Sequence, residues 1–256
     1  MKLKCRFQVL VTIFLSALML GLPAREAMAA SPAKPKFKAV AIDFLTLFDF
    51  KSANAACEKL VVKSGKELCG TWRIKQFEYG YLRAMGKHPV DFNKMTNDAL
   101  DFAAESAHVK LTPEVRKKLI DLYSEMTPFP DTVAAVKKLK AAGLHLATFS
   151  FYSPAVQRAS AQRAGVADLF DDFLSTERMA EVRPAPSAYD VIASKLHLEK
   201  GSIVYVTSAY WDVFGAKNSG YPTYLVKRVQ SPEDKYGVHP DKTVADLTAL
   251  VPLLTK

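Results

Sequence analysis

Four short apolar runs separated by amphipathic stretches constrain this chain more than any other feature. "KAVAID" (38–43), "GLHLATFS" (143–150), "SIVYVTS" (202–208) and "YPTYLVKR" (221–228) are apolar with little alternation. Runs of this length and continuity read as strands buried on both faces. The amphipathic "TVAAVKKLKAAG" precedes the second run, "SAYDVIASKLHL" the third and "YWDVFGAKNSG" the fourth. Strand and helix therefore alternate, which predicts a parallel sheet with both faces covered. Gly143 is placed to stop the first of these helices. Between the first strand and Pro130 the pattern changes to helix after helix, over 52–64, 68–85, 91–108 and 112–125. The expectation is an α/β core (30–49 and 130–256) interrupted after its first strand by a helical cap (50–129). Such an insertion leaves a cleft over the carboxyl ends of the strands.

The first 29 residues stand apart from this pattern. "MKLKCRFQ" is basic, "VLVTIFLSALMLGL" is apolar but short for a membrane span, and "PAREAMAA" supplies small residues at Ala27 and Ala29. These are the three parts of a secretory signal, with cleavage expected after Ala29 and a periplasmic or secreted product. No stable membrane insertion is expected after cleavage. Lys2, Lys4, Arg6 and Arg25 against Glu26 account for +3 of the net charge of +9, so the exported chain keeps +6. That excess is dispersed, without the basic runs and interleaved aromatics of a nucleic-acid groove, and fits weak steering of small anions. Cys5 leaves with the signal, and the two remaining cysteines, Cys57 and Cys69, are expected to form a disulfide in an exported protein.

The first strand ends on Asp43, and "DFLTLFDF" brings a second carboxylate at Asp49. Asp43, Ser150, Arg183 in "AEVRPAPSAY" and Asp212 in "VTSAYWD" fall at or near strand ends facing the expected cleft. Together they supply a carboxylate nucleophile, a hydroxyl for an anion, a cation to hold the nucleophile ionised, and a second carboxylate. Their order resembles the four motifs of the haloacid dehalogenase (HAD) superfamily. Within it the chain is most similar to the (S)-2-haloacid dehalogenases over nearly all of 37–255. "WRIKQFEYGYLRAM", "PFPDTVAAVKKLKAAGL" and "VYVTSAYWDVFGAKNSGYP" are the most specific segments.

The resemblance implies a Rossmann-like HAD core with a helical cap and a hydrolase that needs no metal or other cofactor. It implies that Asp43 displaces halide from a small anionic 2-haloacid to leave an enzyme ester, which water hydrolyses. Thr46 would support the nucleophile, Arg73 would meet the halide and Ser150 the substrate carboxylate. Arg183 would stand where the family has lysine. Leu45, Phe151, Tyr189, Thr207 and Trp211 would line the substrate and water sites. A homodimer is compatible with this reading.

Several positions depart from the family pattern. The turn "DFLT" is one residue short and lacks glycine, so a left-handed backbone there would be costly. Phe151 and Ala209 replace asparagines, which puts ester hydrolysis most at risk. Anchoring the motif on "TLFD" instead of "KAVAID" would place Ile42 at the nucleophile. That alternative register cannot do the chemistry; with the strand anchor, Asp49 lies beyond the turn as a structural residue. Two other functions stay open: an exported binding or scaffold protein that has lost turnover, and a phosphatase. The phosphatase is disfavoured by Leu45 where an acid is needed and by the single carboxylate Asp212 in the fourth motif.

Overall fold

The computed structural model, which describes residues 37–255, is organised around β1 (Ala39–Asp43), all five residues of which are buried. The signal-like segment and its expected cleavage site lie outside the described residues. After β1 come a single helical turn, α1 (Phe44–Leu47), and the two-residue strand β2 (Phe48–Asp49). Four helices follow: α2 (Phe50–Leu60), α3 (Gly65–Met85), α4 (Phe92–Ser106) and α5 (Pro113–Asp121). Strand β3 (Thr127–Pro128) then pairs antiparallel with β2, Phe48 opposite Pro128 and Asp49 opposite Thr127. The chain thus leaves for the helical insertion and returns from it through one two-stranded clasp.

The remainder alternates: α6 (Thr132–Ala141), β4 (His145–Ser150), α7 (Pro154–Arg163), β5 (Asp172–Ser175), α8 (Asp190–Leu196), β6 (Ile203–Thr207), α9 (Tyr210–Asn218), β7 (Thr223–Val226), β8 (Lys242–Val244) and α10 (Leu247–Leu254). The main sheet has the order β5-β4-β1-β6-β7-β8, and all its pairings are parallel. The four expected strands are joined by β5 and β8. These edge strands are only four and three residues long, flanked by charge, and too short to register as apolar runs. The chain builds outward from β1 to β5 and then crosses back to β6, so the strand order reverses at β1. In open α/β sheets the crevice at such a reversal, beyond the carboxyl ends, is where ligands sit.

Alternation along β1 feeds two cores. Val40 and Ile42 pack on the side of α6, α10 and the inserted helices, while Ala39 and Ala41 pack with Phe149, Tyr189 and Tyr205 on the other side. Gly143 ends α6 with φ +80°, as its position predicts. The Cys57–Cys69 disulfide joins α2 to α3 across a Cα separation of 6.2 Å. Among the described residues no helix is long and apolar enough to cross a membrane.

Candidate active site

Asp43 is the last residue of β1 and is 6% exposed. The turn after it contains no left-handed residue. Instead of the glycine-dependent bend whose cost was expected, Phe44–Leu47 wind directly into one helical turn, which any L-residue can enter. That turn brings Thr46 back beneath the carboxylate, its hydroxyl donating to Asp43 Oδ2 over a long 3.4 Å. Asp49 does something different: it caps the N-terminus of α2 by accepting from the Lys51 amide at 2.9 Å. The two carboxylates of the opening run are thus separated by role.

Arg183 is the hub of the core side. Its Nη1 donates to Asp43 Oδ1 at 2.9 Å, to the Tyr205 hydroxyl at 2.8 Å, and to Asp212 Oδ1 and Oδ2 at 3.2 and 3.1 Å. Tyr205 Oη in turn donates to Asp212 Oδ2 at 2.7 Å, and Tyr189 Oη donates to Asp212 Oδ1. One cation therefore serves two buried carboxylates. Burial pushes the Asp43 carboxyl up to about 6; Arg183 pulls it down and Asp212 pushes it up further. Burial also opposes the charge on Arg183, but Asp212, Tyr205 and Asp43 more than offset it and hold the guanidinium well above its usual range. Tyr189 and Tyr205 are raised by burial, so both phenols remain donors.

In the helical insertion, Arg73 lies on α3 with its guanidinium between the rings of Phe50 and Phe77, 4.0 and 4.1 Å from their centroids. Its Nη1 donates to Tyr152 Oη at 3.0 Å and to Gln76 Oε1 at 3.3 Å. Among the described residues it forms no ion pair with a carboxylate. Phe151 stacks near Phe77 and Tyr152, with centroids 5.3 and 4.5 Å apart, and forms part of the same aromatic wall. Trp211 stands over Arg183, whose Cζ is 5.5 Å from its ring.

The remaining expected residues are distributed differently. Ser150, at the end of β4, is buried, and its Oγ accepts from the Tyr152 amide at 3.3 Å; Ser153, not Ser150, caps α7. Tyr189 and Thr207, both expected against substrate or water, are completely buried. Tyr189 lies behind Asp212, where Gly215 leaves room for it; a Cβ at position 215 would collide with the Tyr189 ring and hydroxyl. The Thr207 hydroxyl accepts from the Ala209 amide at 3.2 Å and closes the turn into α9. Leu45 is partly buried against the larger core, and its amide helps to hold the Asp43 carboxylate ionised.

The sequence pattern of the haloacid dehalogenase-like hydrolases matches residues 25–220. The chain belongs to that family. It is 34% identical over 217 residues to an (S)-2-haloacid dehalogenase of Pseudomonas sp. (strain YL), covering 84% of this chain and 94% of that one. It is 31% identical over 220 residues to haloacetate dehalogenase H-2 of Moraxella sp. (strain B), covering 86% and 98%. The solved L-2-haloacid dehalogenase of Xanthobacter autotrophicus with chloropropionic acid covalently bound superposes with a TM-score of 0.76 at 28% identity, covering 85% of this chain and 98% of that one.

Two residues of this dehalogenase-like site escape a sequence reading. Tyr205 sits in the middle of "SIVYVT", where a tyrosine passes for one more apolar strand residue, yet its hydroxyl bridges Arg183 and Asp212. Tyr152 follows the motif serine by two positions and reaches Arg73 from the core side. A buried tyrosine needs a hydroxyl partner, and that requirement is the one signal that marks both. Among the described residues no cluster of three His, Cys, Asp or Glu side chains is arranged to hold a metal ion.

Proposed function

We propose that this chain hydrolyses the carbon–halogen bond of small 2-haloalkanoic acids through an ester on Asp43. The observation that carries the reading is a buried carboxylate at the carboxyl end of β1, hydrogen-bonded to Arg183, which itself lines a cavity, in a chain of this family. In this reading Asp43 attacks C2 from the side opposite the halogen; the C–O bond forms as the carbon–halogen bond breaks, and the halide leaves with the bonding pair. Arg183 keeps the carboxylate ionised against the pull of burial, and Thr46 orients it. Arg73 receives the halide within its aromatic cage, Ser150 binds the substrate carboxylate, and Phe151 and Trp211 form apolar walls. Water then adds to the ester carbonyl carbon and the acyl C–O bond breaks. The 2-hydroxyacid departs with one proton of that water, and the other passes to solvent as Asp43 is regenerated. Asp212, held by Tyr189 and Tyr205, keeps Arg183 in place through both steps.

In the same reading residues 50–129 act as the cap that closes this site and residues 1–29 direct export. The Cys57–Cys69 bridge supports an oxidising compartment.

Ala209 offers no side-chain hydrogen bond to the hydrolytic water, so the ester should form faster than it breaks down. Excess 2-bromopropionate should give a burst approaching one bromide per site, and quenched protein should carry one adduct on the peptide containing Asp43. Asp43→Asn should remove both signals, and Asp49→Asn, which touches only a helix cap, should keep them. Well-folded protein that releases no bromide and carries no adduct would leave a binding protein in place of an enzyme.

A further inference from the structure

The turn after the nucleophile, α1, is only four residues long, and the last carbonyls of a helix have no partner within it. Phe44 O accepts from the Phe48 amide, which closes the turn. Thr46 and Leu47 are completely buried, so their carbonyls need partners from elsewhere in the fold. Leu47 O accepts from the Phe129 amide at 3.0 Å and from Thr132 Oγ1 at 2.8 Å. Thr46 O accepts twice from one side chain: Arg228 donates to it from Nε at 3.0 Å and from Nη2 at 2.8 Å.

Arg228 follows β7 by two residues, and its guanidinium is itself fixed. Nη1 donates to Asp131 Oδ1 and Oδ2, both at 2.9 Å, in a pair whose side chains are 10% and 12% exposed. The guanidinium lies over the Phe129 ring, Cζ 4.1 Å from its centroid. Asp131 Oδ2 also accepts from the Leu247 amide at 2.6 Å. This clamp draws the end of β7 and the starts of α6 and α10 onto α1. Tying those three elements together would need only the Asp131 pair, yet the other edge of the fork is committed to the Thr46 carbonyl.

The two oxygens of Asp43 are held from different directions. Arg183 holds Oδ1, while the Thr46 hydroxyl meets Oδ2 at 3.4 Å and the Leu45 amide helps to keep the carboxylate ionised. A contact of 3.4 Å is near the limit of a hydrogen bond, so a small outward shift of the turn would break it. Misplacing a reacting group by about 1 Å can cost roughly a hundredfold in rate. We infer that Arg228 is a positioning residue for the nucleophile: its two N–H groups on the Thr46 carbonyl hold α1 where Thr46 and Leu45 can aim Asp43. The inference rests on the dehalogenase reading and adds a residue that lies 182 positions from Thr46 in the chain.

Arg228→Lys tests it, because lysine keeps a cation for Asp131 but its single ammonium cannot present a fork to both partners. The control is Asp246→Ala, which removes the cap on the Ala249 amide and loosens the neighbouring helix α10 without touching α1. Three quantities are read in the parent and both variants: the rate constant of the bromide burst from 2-bromopropionate, its KM, and hydrogen–deuterium exchange of the 44–48 backbone amides. Arg228→Lys should slow the burst at least about tenfold with KM unchanged, and should speed exchange in 44–48. Asp246→Ala should lower the unfolding temperature and leave the burst and that exchange as in the parent. A parental burst rate in Arg228→Lys would overturn the inference. So would an equal slowing in Asp246→Ala, which would make Arg228 a structural clip. If Arg228→Lys does not fold, Arg228→Met combined with Asp131→Leu removes both charges of the pair together and is read by the same criteria. A parent that releases no bromide discards the dehalogenase reading, and exchange then decides alone: faster exchange in Arg228→Lys keeps Arg228 as the holder of the turn, and parental exchange overturns it.

Discussion

Arg183 in the α/β core and Arg73 in the helical insertion are buried and half-buried arginines, and their surroundings could hardly differ more. Arg183 is held by Asp43, Asp212 and Tyr205 in a dry, ionic nest; Arg73 is held by the faces of Phe50 and Phe77 and by the neutral Tyr152 and Gln76. The charge of the first is already matched by protein carboxylates. The charge of the second is stabilised only by ring quadrupoles and neutral dipoles, which leaves its Coulomb attraction for an incoming anion. Residue type alone does not tell a positioning arginine from a ligand-binding one. Whether a carboxylate already faces it does.

The comparison breaks most visibly if Arg183 is dispensable. Arg183→Met would strand two buried carboxylates, and losing one partner of a buried ion pair costs about 3–5 kcal/mol. Urea unfolding at pH 7 should show a loss of that order, shrinking as the pH falls through about 6 and Asp43 takes up its proton; an unchanged midpoint would mean the nest contributes nothing. Arg73→Met should do the reverse. Its cation–π contacts are worth about 1–2 kcal/mol of stability, while halide release should slow at least tenfold, about 1.4 kcal/mol in activation free energy. Unaltered bromide release would return Arg73 to the role of a packing residue. The smallest effect sharpens the picture through pH. Asp43 must be ionised to attack, so the burst should fade as pH drops below about 6. Because the fold raises this carboxyl above its ordinary 3.8, the native state holds more protons than the unfolded chain between about 3.8 and 6. Asp43 thus lowers stability as pH rises through that window. Asp91, Asp98, Asp171 and Asp241 are lowered and act with the opposite sign, so the test is the difference in slope between the parent and Asp43→Asn. Parallel pH–stability curves would deny Asp43 its raised titration.

Much of the fold is legible in the sequence because its signal is local. A continuous apolar run ending at Asp43 marks both a strand and the place where the strand delivers a carboxylate, and Asp49, placed beyond the turn as a structural residue, caps α2. The turn between them is less legible. Losing a glycine suggests strain, whereas the backbone avoids the left-handed region altogether by winding one helical turn. The hydroxyl contacts of Tyr205, Tyr189 and Tyr152 are hidden for another reason: each tyrosine is correct as an apolar residue on its own element, and its partner lies more than 20 or 70 residues away, or across a strand-to-helix turn.

Counting charges through the proposed cycle gives the Arg183 nest a further meaning. With Asp43 and Asp212 both ionised around one guanidinium, the resting site carries a net charge of −1 and two like charges in close quarters. Esterification turns Asp43 neutral, and the site falls to a balanced pair of Arg183 and Asp212. Hydrolysis must recreate the crowded anion. The nest therefore works as a compressed spring that the first step releases and the second must wind again, and the ester is the electrostatically relaxed point of the turnover.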